Sequence, residues 1–110
     1  ILSDAYVNAH AAEIPLMVKA AVRRNQREGT LAMLNGLLRD PGSEEELRGI
    51  TARTLVVGGA WDRFAGPDHV RGLAALLPDA RVEIIPDAGH TVSIEKPERF
   101  FEVIDAFLRA

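Results

Sequence analysis

The chain has 110 residues and a mass of 12.0 kDa, the size of one small domain or of part of a larger one. Its 47% hydrophobic and 26% charged residues fit a packed globular chain and argue against disordered, collagen-like and disulfide-scaffold readings. A net charge of −3 with no basic run gives no reason to expect a nucleic-acid partner, and the lack of cysteine excludes disulfides, thiolate metal sites and cysteine catalysis.

The first part of the chain reads as helical. Ser3 and Asp4 are N-cap types ahead of Ala5, Val7 and Ala9. Pro15 interrupts that pattern, and a second periodic run (Leu16, Met17, Ala20, Ala21) is expected to stop at Gly29. A third helix, over 30–38, places Leu31, Leu34, Leu37 and Leu38 on one face. Turn formers then cluster at Asp40-Pro41-Gly42-Ser43 and divide the chain into residues 1–42 and 43–110. No stretch of about 20 apolar residues could span a bilayer, and no basic-then-apolar leader precedes the first helix. The expectation is a soluble, cytoplasmic chain with no membrane partner. Because it opens Ile1-Leu2-Ser3 rather than with Met, it is also expected to be a piece of a longer sequence.

The second part alternates. Ser43 to Glu46 has the S-x-x-E form of a capping box, and the short helix it opens should end at Gly49. Arg53-Thr54-Leu55-Val56-Val57-Gly58-Gly59 is a β-branched run ending in glycines, read as a strand buried on both faces in a parallel sheet. Pro67 suits the first position of a helix carrying Val70, Leu73, Ala74, Leu76 and Leu77. A second strand follows at 81–85, and Pro97 opens a last helix with a wide apolar stripe from Phe100 to Leu108. The fold class is therefore α/β, a βαβα unit preceded by helices. Two parallel strands do not make a stable sheet alone, so further sheet is expected from residues outside this sequence or from a companion chain.

In open α/β sheets, ligands bind at the carboxyl ends of the strands. The first strand runs out through Gly59-Ala60-Trp61-Asp62 and the second through Pro86-Asp87-Ala88-Gly89-His90, so Asp62 and His90 should share one rim. A carboxylate holding an imidazole in one tautomer is the acid and base half of a nucleophilic triad.

The segment from Ile50 to Phe107 resembles the C-terminal part of the α/β-hydrolase fold family. In that family a hydrophobic strand ends in G-x-x-D, a helix and second strand lead to G-H, and E-x-P-E-x-F opens the last helix. Those parts read here as Gly59-Ala60-Trp61-Asp62, Gly89-His90 and Glu95-Lys96-Pro97-Glu98-Arg99-Phe100. The resemblance implies that Asp62 is the triad acid, that His90 is the general base, and that residues 1–42 are the remnant of a helical cap returning to the core. It also implies a nucleophile that is not here: Ser3, Ser43 and Ser93 all lack the G-x-S-x-G context. The expected function is the C-terminal portion of a serine hydrolase acting on ester, lactone or C–C bonds of a small molecule, assembled with a companion N-terminal part that carries the serine. The alternatives are a non-catalytic ligand-binding or interaction module of the same fold, and an acyltransferase or perhydrolase using the same residues.

Trp61 and Phe64 flank Asp62 and could line a substrate pocket, with core packing as the other reading. Asp87 is the reserve acid and otherwise a turn residue, while His10 and His69 are read as surface groups. Met17, Val18, Val22 and Met33 could form the inner, substrate-facing wall of a cap, although stripes at helical spacing are usually core, and none is named as a specificity residue. Without an H-x-x-x-H pair or a phosphate-binding glycine loop, neither a metal nor a cofactor is expected.

Overall fold

A computed structural model describes residues 1–39 and 42–110; Asp40 and Pro41, half of the expected dividing turn, lie outside the described residues. Four helices come first: α1 (Asp4–Ala9), α2 (Ile14–Arg24), α3 (Arg27–Arg39) and α4 (Glu44–Arg48). They are followed by β1 (Thr54–Gly59), α5 (Pro67–Leu76), β2 (Ala80–Ile85), α6 (Val92–Glu95) and α7 (Pro97–Arg109). The strands pair in parallel, from Thr54 opposite Ala80 to Gly59 opposite Ile85.

Local chemistry explains most of these boundaries. The Ser3 hydroxyl accepts the Tyr6 amide to open α1, and Ser43 with Glu46 forms the expected capping box ahead of α4, which ends at Gly49. Pro67 and Pro97 occupy first helical positions, where a missing N–H costs nothing. Gly29, expected to end the second helix, instead lies inside α3. The α2 helix already stops at Arg24, where Asn25 turns to extended backbone. Gly29 falls in the first turn of α3 and Gly36 in its interior; a glycine in a helix costs only about 1 kcal/mol, which the other residues of α3 absorb.

Successive strand residues face opposite sides of the sheet. On one side a Cβ at Gly58 would meet Val70 of α5; on the other, Val57 packs with Phe100 of α7 against Ile85, Ala88 and Val92. The two helices thus cover opposite faces of the strand pair. Ile85 is 2% exposed at the centre of this cluster. Ile85→Ala is expected to cost about 2–5 kcal/mol, read as a lower urea midpoint at unchanged slope.

Of the two readings of the apolar stripes in the helical first part, core packing is not seen within this chain. No residue of α1 to α4 is buried. Val22 is 68% and Met33 59% exposed, so the apolar stripes of α2 and α3 are not core within this chain. The strands too are mostly half-buried, full burial being confined to Gly58, Gly59 and Ile85. The accessible surface is 8318 Å², whereas a compact folded chain of this mass exposes about 6,000 Å². The radius of gyration, 16.2 Å, likewise exceeds the value of about 13 Å for a compact domain of similar length. Among the described residues no helix is long and apolar enough to cross a membrane.

Candidate functional site

Beyond the strands, the two outgoing loops stay joined. The Ala60 amide donates to the Ile85 carbonyl at 2.9 Å and the Trp61 amide to the Ala88 carbonyl at 2.8 Å, so the parallel ladder continues into the loops. The Asp62 amide then closes a turn on the Gly59 carbonyl at 3.2 Å. On the partner loop Asp87 takes φ 55°, a left-handed conformation that Asp tolerates, and the chain reverses toward Gly89 and His90. This is the turn role weighed for Asp87.

The carboxylate of Asp62 is fixed from both oxygens. Oδ1 accepts the Phe64 amide at 2.7 Å and the Ala65 amide at 3.0 Å, while Oδ2 faces His90 Nδ1 at 2.8 Å. The Asp62 side chain is 5% exposed and that of His90 44%. With Nδ1 donating to the carboxylate, the lone pair of the neutral ring lies on Nε2. Burial alone would raise the Asp62 carboxyl, but the His90 hydrogen bond, the two amides and the charge of His90 outweigh it and hold the group below its ordinary value.

A carboxyl lowered by folding contributes stability that is complete above its unfolded pKa, about 3.9, and is lost as pH falls through the lower folded value. Between about pH 5 and 3, wild-type urea midpoints should therefore fall more steeply than those of Asp62→Asn. Parallel curves would contradict this.

The residues proposed from sequence distribute unevenly. Asp62 and His90, 28 positions apart, are hydrogen-bonded. The Phe64 ring stands 5.6 Å from that of His90, tilted by 43°, and Trp61 opens with it onto a cleft of about 190 Å³ beside the pair. Both aromatic rings are exposed, Trp61 48% and Phe64 75%, so neither is packed as core. His10 stacks on Tyr6 and hydrogen-bonds its carbonyl, and His69 is exposed at the start of α5. The Ser3 hydroxyl donates to Glu95, Ser43 is held in its capping box, and Ser93 is exposed on α6. Among the described residues no group of three or more acidic or histidine side chains could hold a metal ion.

One residue near the pair carries more structure than its place in a helix-opening motif implied. Glu95 is buried, and it binds the loop that carries His90 through the Gly89 amide at 3.0 Å. The available signal was its position three residues after Val92, which puts a charged side chain on the buried side of α6.

The sequence model described as "Alpha/beta hydrolase family" matches residues 3–103. The chain is 31% identical over 107 residues to a 2-hydroxymuconate semialdehyde hydrolase of Pseudomonas putida, covering 93% of this chain and 37% of that protein. Among solved structures it superposes on a serine hydrolase involved in carbazole degradation with a TM-score of 0.68 at 29% identity, covering 76% of this chain and 33% of that one. It also superposes on a thermophilic esterase from Thermogutta terrifontis, with a TM-score of 0.59 at 34% identity, covering 61% and 25%. The chain thus spans little more than a third of the curated relative's length.

Proposed function

Because the chain belongs to the alpha/beta hydrolase family, we propose that it supplies the acid and base of a serine hydrolase. The observation that carries this reading is the 2.8 Å contact between His90 Nδ1 and a nearly buried Asp62 carboxylate, with the imidazole itself left accessible. Asp62 would hold His90 in the tautomer with its lone pair on Nε2 and stabilise the imidazolium once formed. His90 would take the proton of a serine hydroxyl as its oxygen attacks the substrate carbonyl carbon. It would then return that proton to the leaving group as the tetrahedral intermediate collapses to an acyl-enzyme. A water deprotonated by the same nitrogen would attack the acyl carbon and release the acid, restoring the serine.

The serine belongs, on this reading, to a companion part of the same fold. Two observations support that assembly: the apolar stripes of α2 and α3 lie uncovered, and the chain spans 37% of a hydrolase relative. Residues 1–42 would then be cap and 43–110 core. A small carbonyl-bearing substrate, an ester or lactone or a ketone whose C–C bond is cleaved, would enter beside Phe64 and Trp61, which line the cleft.

The test is labelling of the assembled protein with a fluorophosphonate, followed by peptide mass mapping. One label is expected, on a serine other than Ser3, Ser43 and Ser93, together with hydrolysis of p-nitrophenyl acetate. Absence of both label and hydrolysis in a protein that contains the companion part would refute the proposal.

A further inference from the structure

Glu95 is a charged side chain that the reaction above does not use, yet it is only 8% exposed. Its carboxylate accepts three hydrogen bonds: the Ser3 amide on Oε1 at 3.0 Å, and the Ser3 hydroxyl at 2.5 Å and the Gly89 amide at 3.0 Å on Oε2. Building on the serine-hydrolase reading, we propose that Glu95 is the positioning residue for His90, clamping the backbone on which the imidazole is mounted. It acts on that backbone twice. Directly, it anchors the amide of Gly89, the residue before His90. Indirectly, it ties down Ser3 and so the Ile1–Ser3 segment, whose Ile1 carbonyl accepts the His90 amide at 3.0 Å.

The site is built for a carboxylate in particular. A Cβ at Gly89 would lie 2.7 Å from Glu95 Oε1 and 2.9 Å from the Ser3 nitrogen, so only glycine lets this clamp close on the loop. Both carboxylate oxygens face donors. Glutamine offers one acceptor and one donor, and whichever way its amide turns, either the Ser3 or the Gly89 N–H meets another N–H. Burial would raise the Glu95 carboxyl, but the Ser3 hydroxyl and the Gly89 and Ser3 amides outweigh it and hold the group below its ordinary value, which favours the ionised form.

A clamp acting through His90 is separable from a merely structural buried acid. In the assembled protein with p-nitrophenyl acetate, Glu95→Gln is expected to lower kcat by about 10–100-fold, the scale of a misplacement near 1 Å, with KM within about threefold. In a His90→Ala background the same change should lower the residual rate by less than about twofold, since the group it positions is gone. If Glu95→Gln does not fold, Glu95→Asp keeps the charge but falls one methylene short of the loop, and at least a threefold loss of kcat is expected. An unaltered kcat in whichever variant folds, or an equal loss with and without His90, overturns the assignment. His90→Ala itself separates the two levels of the argument. If it leaves turnover and fluorophosphonate labelling untouched, the hydrolase reading falls and the role of Glu95 with it. If it abolishes both while Glu95 variants keep kcat, only the role of Glu95 falls.

Discussion

His90→Ala is expected to lower kcat/KM for ester hydrolysis by the assembled protein about 10⁴- to 10⁶-fold, the range met when the base of a serine triad is removed. Stability should fall by about 1–3 kcal/mol: a side chain that is 44% exposed leaves little cavity behind, but the nearly buried Asp62 carboxylate loses its hydrogen bond. Asp62→Asn should approach the same loss, about 10⁴-fold, for a reason specific to this loop. The Phe64 and Ala65 amides both donate to Oδ1 and would keep the oxygen of an asparagine there. Its amide nitrogen must then face His90 Nδ1, which becomes an acceptor, and the ring's proton moves to Nε2, where a base needs its lone pair. Steady-state kinetics with p-nitrophenyl acetate, set beside the rate of fluorophosphonate labelling, would show both effects. If turnover survived both substitutions, the pair would be a structural ion pair, and the fold would be serving as a binding module.

The pair was legible in the sequence for two reasons: two adjacent strands bring their outgoing loops to one rim, and the ordered G-x-x-D, G-H and E-x-P-E-x-F series resembles a known family and singles out Asp62 and His90 on that rim. A β-branched run ending in Gly58-Gly59 and a second run ending at Ile85 fix two parallel strands, and the loops beyond them must emerge on the same rim. Asp62 and His90 then needed only a reach of a few residues from each strand end. Glu95 was read only as part of a helix opening, because its partners are set by tertiary structure. Ser3 lies 92 positions away, and Gly89 is reached only because α6 folds the chain back. The first 39 residues failed differently. Their apolar periodicity correctly announced helices, but periodicity says nothing about what covers the stripe. On α2 and α3 it is uncovered within this chain. The helix boundary misplaced at Gly29 has a local cause: glycine lowers helix propensity by only about 1 kcal/mol, and α3 runs through both Gly29 and Gly36 on the strength of its other residues.

Two adjacent glycines at the end of β1 should respond very differently to the same added methyl group. In Gly58→Ala the new Cβ would lie 2.5 Å from a methyl of Val70, a buried β-branched side chain of α5 with one preferred rotamer, so α5 must give slightly; a cost of about 1–3 kcal/mol is expected, with most activity kept because neither outgoing loop is touched. In Gly59→Ala it would lie 2.1 Å from the Gly89 carbonyl oxygen and 2.3 Å from that of Ala88, both backbone atoms. No rotamer relieves that overlap. The loop carrying His90 must move away from β1, whose outgoing loop carries Asp62, stretching the Trp61 amide's bond to the Ala88 carbonyl and the 2.8 Å contact between Asp62 and His90. Gly59→Ala is therefore expected to cost more than about 3 kcal/mol and, in whatever fraction folds, at least about 10²-fold in kcat. Urea midpoints and kcat measured side by side for the two variants provide the comparison. Equal losses would mean that the two outgoing loops can part without disturbing the pair, and the close backbone approach at Gly59 would then have no bearing on how Asp62 meets His90.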